Sequence, residues 1–142
     1  MTKEQMNTDI YLGLDIGSIS LNTVVIDRDE NILENYYDYC HGQPFLALRK
    51  RLSDLLSRYE AKQFRLIALT GSGGKLAAEL IGGQFINEII AQSKSVSKYY
   101  PDAKTIIEMG GEDSKLIFMD KEKENEHSSL SDFTMNSICA AG

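Results

Sequence analysis

The chain has 142 residues, of which 42% are hydrophobic and 25% are charged, a balance typical of a globular domain with its own core. Its formal net charge of -6 argues against a nucleic-acid-binding surface, because such surfaces cluster basic residues. Residues 1–9 form a polar N-terminal extension without a signal-peptide core, and no apolar run approaches the roughly 20 residues of a membrane span. We therefore expect a cytoplasmic protein that binds neither nucleic acid nor membrane.

Three strands joined by short turns are predicted at the start of the chain, over residues 10–16, 21–27 and 32–39. The first strand ends at Asp15, and the turn after it contains Gly17, Ser18 and Ser20. A carboxylate in this position is suited to hydrated Mg²⁺, and glycine lets backbone N–H groups approach phosphate oxygens. The same residues are also ordinary turn residues of a β-hairpin. This stretch alone leaves both interpretations open.

The middle of the chain predicts an amphipathic helix that begins at Pro44 and a strand over residues 64–70. The glycine-rich segment 70–75 that follows is not a P-loop, because Leu69 and Leu76 stand where the first glycine and the Mg²⁺-binding hydroxyl residue are required. Leu76 also occupies the third glycine position of a dinucleotide-binding fingerprint. What remains is a strand-to-helix loop that either supports an anion or turns the chain.

Two helices are predicted next, the first over residues 75–81 and the second from an Asn87 cap to Pro101. Strands over 105–109 and 115–119 then repeat the order of apolar strand, acidic residue, glycine turn and hydroxyl, with Glu108 as the acidic residue. Two acid-tipped hairpins that face each other would hold a polyphosphate and its metal from both sides.

Four segments resemble one branch of the actin, chaperone ATPase and sugar kinase superfamily, namely the activators of 2-hydroxyacyl-CoA dehydratases and benzoyl-CoA reductases. These segments are Leu12-Gly-Leu-Asp-Ile-Gly-Ser18, Leu69-Thr-Gly-Ser-Gly73, Ile107-Glu-Met-Gly-Gly-Glu-Asp-Ser-Lys115 and Asp132-Phe-Thr-Met-Asn-Ser-Ile-Cys-Ala-Ala-Gly142. The resemblance implies an α/β fold of ribonuclease H-like, actin-like ATPase type, with a mixed sheet and flanking helices. Residues 10–104 would form the first such domain, and residues 105–142 the first strands of a second, truncated one.

The resemblance also implies the residues of an ATP or ADP site. Asp15 would organise Mg²⁺ and phosphate, Glu108 would be its counterpart, and either Glu112 or Asp113 would orient the attacking water. The remaining nucleotide-contacting residues would be Gly13, Gly17, Ser18, Ser20, Thr70, Gly71, Gly73, Gly110 and Gly111. Cys139 would be a thiolate ligand of a 4Fe-4S cluster, whereas Cys40 continues an apolar and aromatic run and is expected to be buried.

In this family, ATP hydrolysis drives a homodimer with one interfacial 4Fe-4S cluster to pass a low-potential electron to its dehydratase or acyl-CoA reductase partner. Three departures qualify the expectation, since Ile19 and Asn22 replace a hydroxyl and a cation of the first loop, and Glu108 replaces the usual Asp. The Glu108 form resembles long, fused activase-like proteins. Because the resemblance continues past residue 142 in other members, this fragment alone is expected to be inactive and to hold no stable cluster.

Two other functions stay open. A sugar or acyl-phosphate kinase of the same fold would need a carboxylate base in a substrate pocket and would have no use for the segment around Cys139. A non-catalytic nucleotide-binding or interaction module would retain the loops as relics, which Ile19 and Asn22 favour. Phosphotransfer to a panel of sugars tests the first alternative, and magnesium-dependent binding of ADP tests the second.

Overall fold

The computed structural model describes residues 9–110, 113–121 and 128–136, and the chain divides into two compact units, Met1–Ile86 and Asn87–Gly142. The elements of the first unit are β1 (Ile10–Ile16), β2 (Ser20–Asp27), β3 (Ile32–Tyr39), α1 (Pro44–Leu56), a 3₁₀ turn (Ala61–Gln63), β4 (Phe64–Thr70), α2 (Gly74–Ile81) and β5 (Gln84–Phe85). Those of the second are α3 (Glu88–Tyr99), β6 (Thr105–Met109), β7 (Ser114–Lys121) and β8 (Ser128–Asn136). Among the described residues, none of the helices combines the length and apolar character of a transmembrane segment.

The first unit is built on a mixed five-stranded sheet with the order β3-β2-β1-β4-β5. The three predicted strands β1, β2 and β3 form an antiparallel meander, whereas β4 runs parallel to β1 and β5 runs parallel to β4. Because parallel strands end at the same edge of a sheet, Asp15 and Thr70 are register partners at the ends of β1 and β4. The sheet therefore brings the first acidic turn next to the glycine-rich loop.

One face of this sheet carries the core of the first unit. Alternate residues of β1 are buried, as the period of two in a strand requires, and they pack with residues of β2, β4, α1 and α2. Each large aliphatic side chain buried in this way contributes on the order of 2 kcal/mol. The most buried members are Ile10, Leu12, Leu14, Ile16, Leu21, Val25, Leu55 and Leu69. Cys40 belongs to the same cluster, which confirms its predicted burial.

Two arginines, Arg51 in α1 and Arg58 just after it, contact β3. Arg51 forms an ion pair of 2.8 Å with Asp38 on β3 and lies 3.7 Å from the centre of the Tyr36 ring. Arg58 donates to Glu34 on the same strand. Partly exposed ion pairs contribute at most about 1 kcal/mol each, so their main effect is to fix the position of α1 against β3.

The second unit is an antiparallel sheet with the order β6-β7-β8. Ile89 of α3 packs on Ile117 and Met119 of β7, and the Asn87 side chain accepts a hydrogen bond of 3.0 Å from the Ile89 N–H, which confirms the predicted cap. Strand β8 was not predicted, because its polar sequence lacks a continuous apolar alternation. The polar residues are tolerated because β8 lies at the edge of the sheet.

The two units divide before α3, whereas the sequence-based domain boundary lies after it, at residue 104. Helix α3 contributes Ile89 to the core that Ile117 and Met119 form in the second unit, and a boundary drawn from the repeated hairpin alone does not include this packing. The assignment of residues 10–104 and 105–142 to two actin-like domains stays a prediction.

Candidate functional site

In the first acidic hairpin, a neutral side chain forms the hydrogen bond that orients Asp15. Asp15 and Asn22 are register partners on β1 and β2, and the Asn22 side-chain amide donates a hydrogen bond of 3.1 Å to Oδ2 of Asp15. The N–H of Gly17 donates to the carbonyl of Ser20 at 3.0 Å and closes the turn between the strands. Asn22, first noted only as a missing cation, is therefore the residue that orients Asp15.

The glycine-rich loop packs against the end of β1. A Cβ added to Gly71 would lie 2.5 Å from Oδ1 of Asp15 and 2.6 Å from the Ile16 carbonyl oxygen. Gly71 also has a φ of 82°, a conformation that side-chain-bearing residues rarely adopt. The N–H of Gly73 donates to the Ile16 carbonyl at 2.9 Å. The loop can approach Asp15 this closely only because glycine occupies these positions.

The threonine that precedes this loop has an unsatisfied hydroxyl. Among the described residues, Oγ1 of Thr70 is buried and has no hydrogen-bond partner, a state that costs about 1 to 3 kcal/mol. Thr70 is the register partner of Asp15. A buried hydroxyl beside a carboxylate and a glycine loop is the kind of donor that a bound phosphate or its water shell would satisfy.

Other residues of the first predicted site have structural explanations of their own. Gly13 lies within β1, where an added Cβ would be 2.8 Å from Cγ1 of Val24, so the packing of β2 requires its small size. Ser18 is exposed in the turn, and Ser20 is half-buried at the start of β2. The roles of Gly13, Ser18 and Ser20 in nucleotide binding stay predictions.

The second acidic hairpin holds Glu108 by a cation instead. Glu108 and Lys115 are register partners on β6 and β7, and the Lys115 ammonium lies 2.9 Å from Oε2 of Glu108. It also lies 2.6 Å from Oδ1 of Asp113 and 3.4 Å from Oε2 of Glu88. Its side chain is only 5% exposed. Lys115 is therefore the buried centre of three carboxylates.

Burial by itself lowers the pKa of Lys115, but its surroundings reverse the direction. Hydrogen bonds to Asp113 and Glu108 and the negative charges of Glu88 and Glu108 raise this pKa well above its ordinary value. Lys115 therefore keeps its charge through the neutral range. This role of Lys115 was not predicted from the sequence, although the spacing of seven residues that separates Asp15 from Asn22 also separates Glu108 from Lys115.

The two turns are closed in the same way. The N–H of Gly110 donates to the Asp113 carbonyl at 2.9 Å, as Gly17 donates to Ser20. In each hairpin the glycine lies two residues after the acidic residue. These N–H groups therefore already have hydrogen-bond partners within the turn. Gly110 also leaves space for the Glu108 side chain, because a Cβ added at Gly110 would lie 3.0 Å from Oε1 of Glu108.

Three predicted residues, Gly111, Glu112 and Cys139, lie outside the described residues. Across residues 9–110, 113–121 and 128–136, no three His, Cys, Asp or Glu side chains form a group suited to a metal ion. Mg²⁺ in nucleotide sites needs no such group, because one or two carboxylates, phosphate oxygens and waters hold it. Asp15, with Gly71 against Oδ1 and the unsatisfied Thr70 hydroxyl nearby, fits that donor set.

Known proteins share this architecture. The (R)-2-hydroxyglutaryl-CoA dehydratase activating ATPase of Acidaminococcus fermentans is 24% identical over 132 residues, which are 92% of this chain and 48% of that protein. The crystal structure of (R)-2-hydroxyglutaryl-CoA dehydratase component A from Acidaminococcus fermentans aligns with a TM-score of 0.77 and 23% identity over 94% of this chain and 49% of that one. The activator of 2-hydroxyisocaproyl-CoA dehydratase from Clostridium difficile with bound ADPNP aligns with a TM-score of 0.73 and 25% identity over 92% of this chain and 47% of that one.

These alignments confirm the predicted α/β, actin-like ATPase fold with its mixed sheet and flanking helices. The chain spans about half the length of the curated relatives it matches. The model of the BadF/BadG/BcrA/BcrD ATPase family matches residues 12–142, a range that contains both acidic hairpins and the glycine-rich loop. The chain therefore belongs to the BadF/BadG/BcrA/BcrD ATPase family.

Proposed function

We propose that this chain is the nucleotide-binding part of an ATP-dependent activator that drives low-potential electron transfer to a 2-hydroxyacyl-CoA dehydratase or a related acyl-CoA reductase in the cytoplasm. The observation that carries the proposal is the geometry of Asp15. Asn22 holds one of its carboxylate oxygens, and Gly71 leaves room for the other. Such a carboxylate, at the carboxyl ends of parallel strands, is placed where α/β sheets bind nucleotides.

In the first unit, Asp15 would bind Mg²⁺, and the Thr70 and Ser18 hydroxyls would donate to phosphate. When bound, Mg²⁺ would neutralise the charge on the phosphate oxygens. Glu108, with either Glu112 or Asp113, would accept hydrogen bonds from the attacking water and so orient it. Glu108 keeps Oε1 beside Gly110 while Oε2 binds Lys115, an arrangement that leaves the first oxygen to accept such a bond.

The names of the relatives support the dehydratase partner of this proposal, and the segment around Cys139 supports the electron-transfer step. The matched relatives include activators of 2-hydroxyglutaryl-CoA, 2-hydroxyisocaproyl-CoA and lactoyl-CoA dehydratases. Cys139 would be the thiolate that this chain contributes to a 4Fe-4S cluster, and a homodimer would supply a second copy of it. A dehydratase or reductase component would receive the electron.

Calorimetric titration of the full-length natural protein with ADP, in the presence of Mg²⁺ and then of EDTA, tests nucleotide binding. We expect Asp15→Asn to weaken MgADP binding at least tenfold and to leave the residual binding in EDTA unchanged, because only the metal-dependent part uses the charge of Asp15. Asp29→Asn, in an exposed turn of the same unit, is the matched control. Affinity that does not depend on Mg²⁺ in the unmodified protein would favour the relic alternative instead.

Anaerobic reconstitution with iron and sulfide tests the cluster. We expect visible charge-transfer absorption that disappears in Cys139→Ala and persists in Cys40→Ala, because Cys40 is buried in the core of the first unit. Equal absorption from both variants would remove Cys139 from the ligand set. Phosphotransfer from ATP to sugars or acyl acids, without such absorption, would favour the kinase alternative.

A further inference from the structure

The cluster around Lys115 is more than a surface ion pair. Its ammonium has three protons, and three carboxylate oxygens lie 2.6, 2.9 and 3.4 Å from it. With a side chain only 5% exposed, Lys115 is enclosed by these groups. Two of these oxygens, Oε2 of Glu108 and Oδ1 of Asp113, accept hydrogen bonds from the ammonium, and the third group, Glu88, forms an ion pair with it.

The three carboxylates come from different parts of the second unit. Glu108 is the last residue but one of β6, Asp113 precedes β7, and Glu88 is the first residue of α3. Their side chains remain 22%, 28% and 30% exposed, so each reaches from the buried cation toward the surface. Lys115 thus holds one oxygen of Glu108 and one of Asp113 by hydrogen bonds, and its ion pair with Glu88 joins the turn to the start of the helix.

We propose that Lys115 is a positioning residue for ATP hydrolysis, which acts by holding the carboxylates of Glu108 and Asp113 in the orientation that the attacking water requires. The proposal rests on the proposed nucleotide function. Buried ion pairs are often no more stabilising than apolar residues of the same volume, so stability alone is a weak reason for a lysine here. A lysine can orient two carboxylates at a glycine turn, whereas an apolar residue cannot.

The first hairpin supports this assignment, because it orients its acidic residue, Asp15, without a cation. Asn22 occupies the position that corresponds to Lys115 and binds a single carboxylate oxygen. In the second hairpin the turn carries Asp113 where the first carries Ser20. Two acids at one turn repel each other unless a cation lies between them, and Lys115 is that cation.

Steady-state ATP hydrolysis by the full-length natural protein provides the test, with Lys115→Gln, Lys115→Arg, Glu108→Gln and the double variant Glu108→Gln/Lys115→Gln. We expect Lys115→Gln to lower kcat by about 10- to 100-fold, the range typical of misplaced reacting groups, with less than a threefold change in KM. Lys115→Arg should recover part of the lost kcat. The exposed Lys94→Gln on α3 is the matched control.

The double variant separates positioning from general structural damage. If Lys115 acts through Glu108, adding Lys115→Gln to Glu108→Gln causes little further loss of kcat, because the oriented group is already absent. Multiplied losses both in this double variant and in Asp113→Asn/Lys115→Gln, or a raised KM at unchanged kcat, would overturn the proposal. If Lys115→Gln alone folds poorly, the double variant can still be compared with Glu108→Gln, because it removes the charge of both partners. Absence of hydrolysis in the unmodified protein would instead count against the proposed function.

Discussion

The two acidic hairpins have the same backbone design and different electrostatics. Each places its acid two residues before a turn glycine and seven residues before the cross-strand partner that binds it. In the first hairpin the partner is the neutral amide of Asn22. In the second it is the buried ammonium of Lys115, which also holds Asp113 and Glu88.

This difference indicates a division of tasks. The cross-strand partner of Asp15 is neutral and does not compensate a carboxylate charge. The second oxygen of Asp15 lies against Gly71, and this arrangement suits a metal ion. Glu108 is compensated, so it is better suited to orient a neutral water than to bind Mg²⁺. We therefore expect the repeated turn to serve two chemical roles, which are set by the residue opposite the acid.

The largest effect is expected from Gly71→Ala, which disturbs the first hairpin alone. The left-handed backbone costs about 1 to 2 kcal/mol for alanine, and the new Cβ would be 2.5 Å from Asp15 Oδ1, which adds about 1 to 3 kcal/mol of overpacking. We expect unfolding in urea to show a loss of about 3 kcal/mol. Gly42→Ala is the matched control, because Gly42 has a φ of 72° but no atom within 4 Å of an added Cβ. Equal losses in the two variants would contradict the close approach to Asp15.

Lys115→Gln should be the next most damaging change. It leaves the charges of Glu88, Glu108 and Asp113 without their cation, and we expect a loss of about 2 kcal/mol. This is less than for a fully buried pair, because the three acids are partly exposed to solvent. Urea unfolding checks the value, with Lys94→Gln as the exposed control. A loss below that of the control would show that the cluster contributes nothing to the fold.

Asn22→Ala should cost less, because a single neutral hydrogen bond to Asp15 is removed. The expected loss is about 1 kcal/mol, which thermal unfolding detects as a lower Tm. Nucleotide binding gives a second measurement. Without the hydrogen bond from Asn22, Asp15 is no longer held in one orientation, so Asn22→Ala should weaken MgADP binding more than ADP binding in EDTA. A larger loss of stability than that of Lys115→Gln would reverse the proposed ranking of the two hairpins.

The smallest effect is expected from pH, because the contribution of Lys115 to the free energy of unfolding should stay constant between pH 7 and pH 9. Because the folded pKa of Lys115 is raised, its contribution is fully present below the unfolded value of about 10.4 and is lost as the pH rises from there through the folded value. The difference in unfolding free energy between the unmodified protein and Lys115→Gln should therefore be the same at both pH values. A difference that shrinks by pH 9 would mean that the ammonium is not held by its carboxylates.

The sequence by itself determined the features that depend on local periodicity. Alternation of apolar residues fixed β1, Pro44 and Asn87 fixed the starts of α1 and α3, and the repeated order of strand, acid and glycine located both hairpins. These signals are readable because each depends on residues within one or two turns of the chain. The fold class and the family followed from the resemblance of four sequence segments, which include both acidic turns and the glycine-rich loop.

Only the tertiary structure decided which side chains meet. Gly71 lies against Asp15 because β4 pairs in parallel with β1, and Glu88 reaches Lys115 because α3 packs on the second sheet. Edge strand β8 likewise forms through pairing with β7, in spite of its polar sequence. Such contacts join distant parts of the chain, and their energy depends on burial and register that no local pattern records.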